Sequence, residues 1–186
     1  MNEDLIPNYR ENKAIAAASM LLELSGGKCD KYWLNKLMYY IERESLIQSG
    51  QPMFFDKLYS IPLGPVASAV NDGIDSTSYP VNSAWADHLQ LKGRTVSLIR
   101  DADKAELSDF EENIIKNAFL KFREYDFKKL KKFFHDLPEY IETNSRIALT
   151  YEEILNKSGA KDHQVREAIA EIAYLSFLEN SLDCAK

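Results

Sequence analysis

At 186 residues, 45% hydrophobic and 28% charged, the chain has the size and composition of one globular domain, taken here as 1–186. Its formal net charge of −6 argues against a general nucleic-acid binder, which needs a local surplus of Lys and Arg to neutralise phosphates. The acidic start Met-Asn-Glu-Asp is unlike a signal peptide, and the longest nearly apolar run, Ala14 to Leu22, is far short of the ~20 residues that cross a bilayer. Cytoplasm is the expected location, without membrane contact. Cys29 and Cys184 stand far apart in no metal-type spacing, which suits a reducing compartment and reads as two inert thiols.

Apolar residues from Ala14 to Leu22 recur at helical spacing, predicting a helix from about Tyr9 to Leu24 that stops at Gly26-Gly27. Asp30 is the expected N-cap of the next helix, which carries Trp33, Leu37, Tyr40 and Ile41 on one face and ends at Gly50. That helix should lie centrally, with Leu37, Tyr40 and Ile41 in the core beside Phe119 and Phe133. The segment from Gln51 to Leu63 reads as extended and partly buried. Pro65 suits a first helical position, so a short helix is expected from Val66 to about Asp72, then a loop from Asp75 to Pro80.

The alternation of His88–Leu91 and Thr95–Ile99 around Lys92-Gly93-Arg94 predicts a β-hairpin, the one strand pair expected. Ser108-x-x-Glu111 and Thr150-x-x-Glu153 are capping-box patterns, each opening a helix. Asp126 should cap a helix bearing Phe127, Leu130, Phe133 and Phe134 that ends near Pro138. A turn at Gly159 and a cap at Asp162 should precede the last helix. The expected fold is mainly α, a compact bundle of about seven helices with one small β-hairpin, including a C-terminal helical pair over 150–181.

Little in the chain points to catalysis. His88, His135 and His163 share no metal-ligand spacing, the glycines are scattered, and no serine-hydrolase elbow occurs. Cys29 with His135 would be a nucleophile and base only if folding joined them. Glu42 with Glu44, and Glu111 with Glu112, sit where surface or capping roles suffice. The expectation is a non-enzyme with no catalytic, cofactor-binding or metal-binding residues.

The stretch from Lys116 to Lys132, a basic aromatic element within 116–134, carries seven basic residues against two acidic ones. Phe119, Phe122, Tyr125 and Phe127 interleave with the charges, the pattern of a surface that tracks phosphates and stacks bases. The rings also fall at helical spacing, so an amphipathic helix with a solvated basic face is the simpler reading. A third reading is docking of an acidic or RNA-associated partner. Thr150 to Asn180 could form a helix-turn-helix, but three basic residues against six acidic ones would repel DNA there.

Several segments, in order, resemble one family. They are Asn35-Lys36-Leu37-Met38-Tyr39-Tyr40, Gly50-Gln51-Pro52-Met53-Phe54, Gly64-Pro65-Val66, Leu107-Ser108-Asp109-Phe110-Glu111, Phe134-His135-Asp136-Leu137-Pro138-Glu139-Tyr140 and Ala148 to Leu155. Their types and spacing resemble the Panacea antitoxin domain, also called SocA-like or GepA-like and found in phage-associated proteins. Ser60-Ile61-Pro62-Leu63 departs from the family pattern, as does Tyr140, where Trp is frequent. The resemblance implies a helical fold without a catalytic centre, whose members bind and neutralise toxins directly. A SocA-type member also delivers its toxin to an AAA+ protease. The expected partner is thus a cognate toxin, with such a protease a further one, and a homo-oligomer is compatible. The alternative is a phage-associated nucleic-acid-binding regulator.

Lys36, Leu37, Tyr39, Tyr40, Gly64, Pro65 and Val66 are the motif residues, with structural roles expected. Lys128, Lys129, Lys131 and Lys132, with His135 and Tyr140, are the candidate contact for a partner, the charges steering and the aromatic anchoring.

Overall fold

The computed structural model describes residues 6–78 and 83–183. Among them are seven α-helices: α1 (Glu11–Leu24), α2 (Lys31–Ser49), α3 (Ser68–Ser76), α4 (Asp109–Phe122), α5 (Phe127–His135), α6 (Tyr151–Lys157) and α7 (Asp162–Asp183). The six strands are β1 (Lys28–Asp30), β2 (Leu58–Ser60), β3 (Val66–Ala67), β4 (Leu89–Lys92), β5 (Thr95–Leu98) and β6 (Ile147–Leu149).

The central helix is α2, which packs against α1, α3, α4, α5 and α6. Asp30 caps it by accepting the Tyr32 N–H at 2.8 Å, and Gly50 closes it in the left-handed conformation. Leu34, Leu37, Met38 and Ile41 have no exposed surface. Each such side chain contributes about 1.5–3 kcal/mol of burial. Helix α1 is buried continuously from Ala14 to Leu22, as expected of a helix apolar all round. Phe119 and Phe133 are half-buried against this core rather than inside it.

Both capping boxes form, at Ser108 with Glu111 and at Thr150 with Glu153. Asp126 accepts the Lys129 N–H at 2.8 Å and so starts α5. The basic stretch is therefore the end of α4, a turn and α5. At α7 the expected cap is displaced. Asp162 is the first helical residue, and the N–H of Lys161 is taken by Gln164 Oε1 at 3.0 Å.

The sheet content exceeds the single hairpin expected. Hairpin β4–β5 is present, but β1 extends it to the order β1-β5-β4, with Cys29 opposite Val96. A second antiparallel sheet has the order β3-β2-β6, pairing Leu58 with both Ala67 and Leu149. The added strands have two or three residues each, too short for alternation to show, and they pair across long sequence separations.

A second correction concerns Pro65. It precedes a strand rather than opening a helix, and α3 begins only at Ser68 and runs on through Asp75 and Ser76. The physical reason is a distant cap: Asp56 accepts the N–H groups of Ala69 at 2.8 Å and Val70 at 2.9 Å. Val66 and Ala67 are left to pair with Tyr59 and Leu58. Further along α3, Gly73 lets the buried Trp85 indole press against the helix, in space that a Cβ would occupy. Part of the expected 75–80 loop, together with Cys184, lies outside the described residues.

Candidate functional site

The motif residues of α2 divide into three groups by what they touch. Lys36 is 2% exposed, and its Nζ donates to the Pro65 carbonyl at 2.6 Å. The rings of Tyr32 and Phe134 lie 5.3 and 5.9 Å from that nitrogen. Among the described residues no carboxylate pairs with it, and burial pushes the ammonium down to about 7. Gly64 is what allows this approach. Its φ is +95, and a Cβ there would lie 3.3 Å from Phe134 Cβ and 3.4 Å from Lys36 Nζ. The Tyr32 hydroxyl donates to the Leu63 carbonyl at 3.0 Å, tying the same turn to α2. Lys36, Gly64, Pro65 and Val66 are thus one local structure.

The second group is a lock. Tyr39 donates to Glu139 Oε1 at 3.0 Å, and Arg43 reaches the same carboxylate through Nε at 2.5 Å and Nη2 at 3.3 Å. Glu139 has no exposed surface, so the Leu137-Pro138-Glu139 element is held to α2 by a buried forked ion pair. Burial raises the Tyr39 hydroxyl well above its ordinary value.

In the third group, Leu37 is core and Tyr40 packs edge-on against Phe122 at 4.9 Å. The ammonium of Lys121 sits over the Tyr40 and Phe133 rings at 4.7 and 4.6 Å, so part of the basic stretch is engaged with aromatic rings.

The proposed contact residues only partly converge. Lys128, Lys129 and Lys132 are exposed on α5, with Lys131 half-buried and Lys132 paired with Asp136 at 2.7 Å. His135 and Tyr140 stack at 4.4 Å, and Tyr140 donates to the Ile61 carbonyl at 3.4 Å, so these two close the Gly64 turn from its other side.

Beside that turn run two adjoining cavities that share Tyr32, Arg94 and Phe127. The larger, about 610 Å³, is walled by Trp33, Phe119, Tyr125 and Phe127, with Arg123 also lining it. The smaller, about 350 Å³, is lined by Asn35, Lys36, Leu63 and Val66. The rings of Tyr32 and Phe127 meet at 4.8 Å between them, tilted by 50°, and Phe127 and Leu63 are 47% and 45% exposed at the lips. Such a groove offers apolar area and a few placed polar groups, the makings of a recognition surface.

Chemistry by nucleophile is poorly served here. Cys29 lines the larger cavity, but burial pushes its thiol up to about 12, so it holds its proton. His135 packs against Tyr140 and Gly64. Among the described residues no group of three His, Cys, Asp or Glu could hold a metal ion.

Glu42 was expected at the surface and is instead fully buried. Its carboxyl accepts the N–H groups of Phe54 at 2.6 Å and Asp56 at 3.0 Å, on either side of Phe55 with its φ of 56. Burial pushes Glu42 up to about 8, and Asp56 beside it up to about 6. The available signal was periodicity. Glu42 lies four residues from both Met38 and Leu46, in line with buried positions.

A family model described as antitoxin SocA-like, Panacea domain, matches residues 34–140. The matched span begins at Leu34 on α2 and ends at Tyr140, so it contains the Lys36–Gly64 contact, the Glu139 lock and α5. No curated protein and no solved structure matches the chain. Among the described residues no helix is long and apolar enough to cross a membrane.

Proposed function

Because the chain belongs to the SocA-like antitoxin (Panacea) family, we propose that it is an antitoxin that neutralises a cognate toxin by direct binding, without turnover. The observation that carries this reading is the family span itself, whose motif residues frame the aromatic groove. Phe127 and Leu63 at its lips supply apolar anchors, and the exposed lysines of α5 supply charge that speeds encounter with an acidic surface. Delivery of the bound toxin to an AAA+ protease, in the cytoplasm, is the finer form of the same proposal.

The nucleic-acid alternative finds less support. Phe122 is fully buried and Phe119 and Tyr125 are half-buried against the core, so of the four interleaved rings of the basic stretch Phe127 alone is exposed to a base. The test is co-expression with the adjacent gene. Growth rescue together with co-purification supports the antitoxin reading. Failure of both, with tight and salt-sensitive RNA binding by the purified chain, supports the alternative.

A further inference from the structure

We infer that the smaller cavity grips the free C-terminal carboxylate of a partner polypeptide whose last residue is apolar. This rests on the reading of the chain as a protein-binding antitoxin and names the chemistry of what it holds.

The first observation is the unmet donor capacity of Lys36. An ammonium has three N–H groups, and one of them reaches the Pro65 carbonyl. Among the described residues it has no other oxygen partner and no counter-charge. A buried cation left without an anion is costly, so the cavity favours a ligand that brings one. The other two cations that line it, Lys31 and Arg94, are already paired with Asp75 and Asp30, and among the described residues no carboxylate lines the cavity.

Beside Lys36 the wall is set by an amide chain. Asn35 is 8% exposed and its Oδ1 is buried with no partner among the described residues. A chain of amides sets its orientation. Asn71 donates to Asp75 at 3.3 Å, which leaves Asn71 Oδ1 to accept from Asn35 Nδ2 at 2.9 Å. Asn35 Oδ1 is thus the unpaired atom, and it is enclosed in the wall rather than open to what enters.

Apart from Tyr32 and Asn71, the remaining walls are apolar, formed by Ile61, Leu63, Val66 and Phe127. One kind of residue meets both demands, an anion for Lys36 and an apolar filling for the walls. A C-terminal apolar residue carries a carboxylate for Lys36 and a side chain for the walls. A volume of about 350 Å³ suits one or two residues, not a folded element. An internal Asp or Glu supplies the charge but spends its own side chain on it, leaving the apolar walls unfilled. The cavity opens beside exposed Phe127 and Leu63, so a chain end entering it stays continuous with a contact along the groove.

The test uses the full chain, labelled with ¹⁵N, and three peptide probes. They are acetyl-Gly-Gly-Ser-Leu as free acid, the same peptide as C-terminal amide, and acetyl-Gly-Asp-Leu-Gly as amide. The free acid is expected to bind saturably, shifting the side-chain amide of Asn35 and the backbone amides of Leu63 and Val66, with the other two at least roughly tenfold weaker. Equal binding of acid and amide, preference for the internal Asp, or no shifts at these residues would overturn the inference.

Two variants complete the test. Lys36→Met, if it keeps its fold, should lose the preference for acid over amide. Leu63→Asp, at an exposed lip, should weaken the free acid at least roughly tenfold; unchanged binding by it would also overturn the inference. Failure here, with neutralisation and co-purification retained in the co-expression assay, removes the cavity's role and leaves the antitoxin reading standing.

Discussion

Replacing Glu139 by Gln is the sharpest probe of how the family element 137–140 is held. The substitution keeps the volume and still offers Tyr39 an acceptor, but it removes the charge that faces Arg43 through contacts of 2.5 and 3.3 Å. Glu139 is fully buried and Arg43 is 8% exposed, so the guanidinium loses its main counter-ion away from water. Breaking a buried pair from one side costs about 3–5 kcal/mol. Arg43 keeps a second partner, Glu44 at 2.9 Å, which places the expected loss at the low end, about 3 kcal/mol. For a chain of this size that lowers Tm by roughly 6–12 °C. Urea unfolding of wild type, Glu139→Gln, Glu139→Leu, Arg43→Met and Arg43→Met with Glu139→Leu gives both the charge loss and, through the Met and Leu variants, the coupling. The double variant should recover at least about half of the single-site loss, because a packed apolar pair replaces both charges. A loss under about 1 kcal/mol for Glu139→Gln, or a double variant no better than the single ones, would refute the lock.

Gly64→Val should destabilise by more than about 1 kcal/mol, since it combines a φ of +95 with crowding by Phe134, His135 and Lys36; an unchanged Tm would count against this. Lys36 should also shape stability against pH. Its folded ammonium titrates at about 7 and its unfolded one at about 10.4, so between them the unfolded chain holds the extra proton and stability gains from rising pH. The advantage of Lys36→Met over wild type should therefore be largest at or below about pH 7 and shrink toward about pH 10; parallel profiles in urea unfolding would contradict the burial account. Glu42 acts with the opposite sign: raised to about 8, it contributes stability that is full in acid and lost as pH rises through that value. Lys128→Glu with Lys132→Glu should slow association with the toxin and leave Tm almost unchanged, because both side chains are exposed; an unaltered association rate would reduce the patch to a solvated face.

Helices α2, α4, α5 and α6 were legible because each carries its own start signal. Asp30, Ser108, Asp126 and Thr150 all accept a backbone N–H as their spacing predicts. What escaped is non-local. Helix α3 is capped by Asp56, twelve residues before the helix begins, so Pro65 gave a false start. Strands β1, β2, β3 and β6 are too short to alternate. The site shows the same division. Gly64, Pro65 and Lys36 could be named from their motifs, but their contact depends on a turn folding back across α2. Asn35 was quoted only as a neighbour of Lys36. Its orphan oxygen follows from Asn71 and Asp75, which no sequence spacing links to it.

The central claim is that this chain neutralises a toxin through the groove beside the Gly64 turn. The direct measurement is growth rescue and co-purification with the product of the adjacent gene, comparing wild type with Phe127→Glu. Phe127 is 47% exposed and meets the Tyr32 ring, so the change places a charge at the lip without opening the core. The account predicts rescue and a stable complex for wild type, and loss of both for Phe127→Glu at an unchanged Tm. Full rescue by Phe127→Glu, or no rescue by wild type, would contradict it.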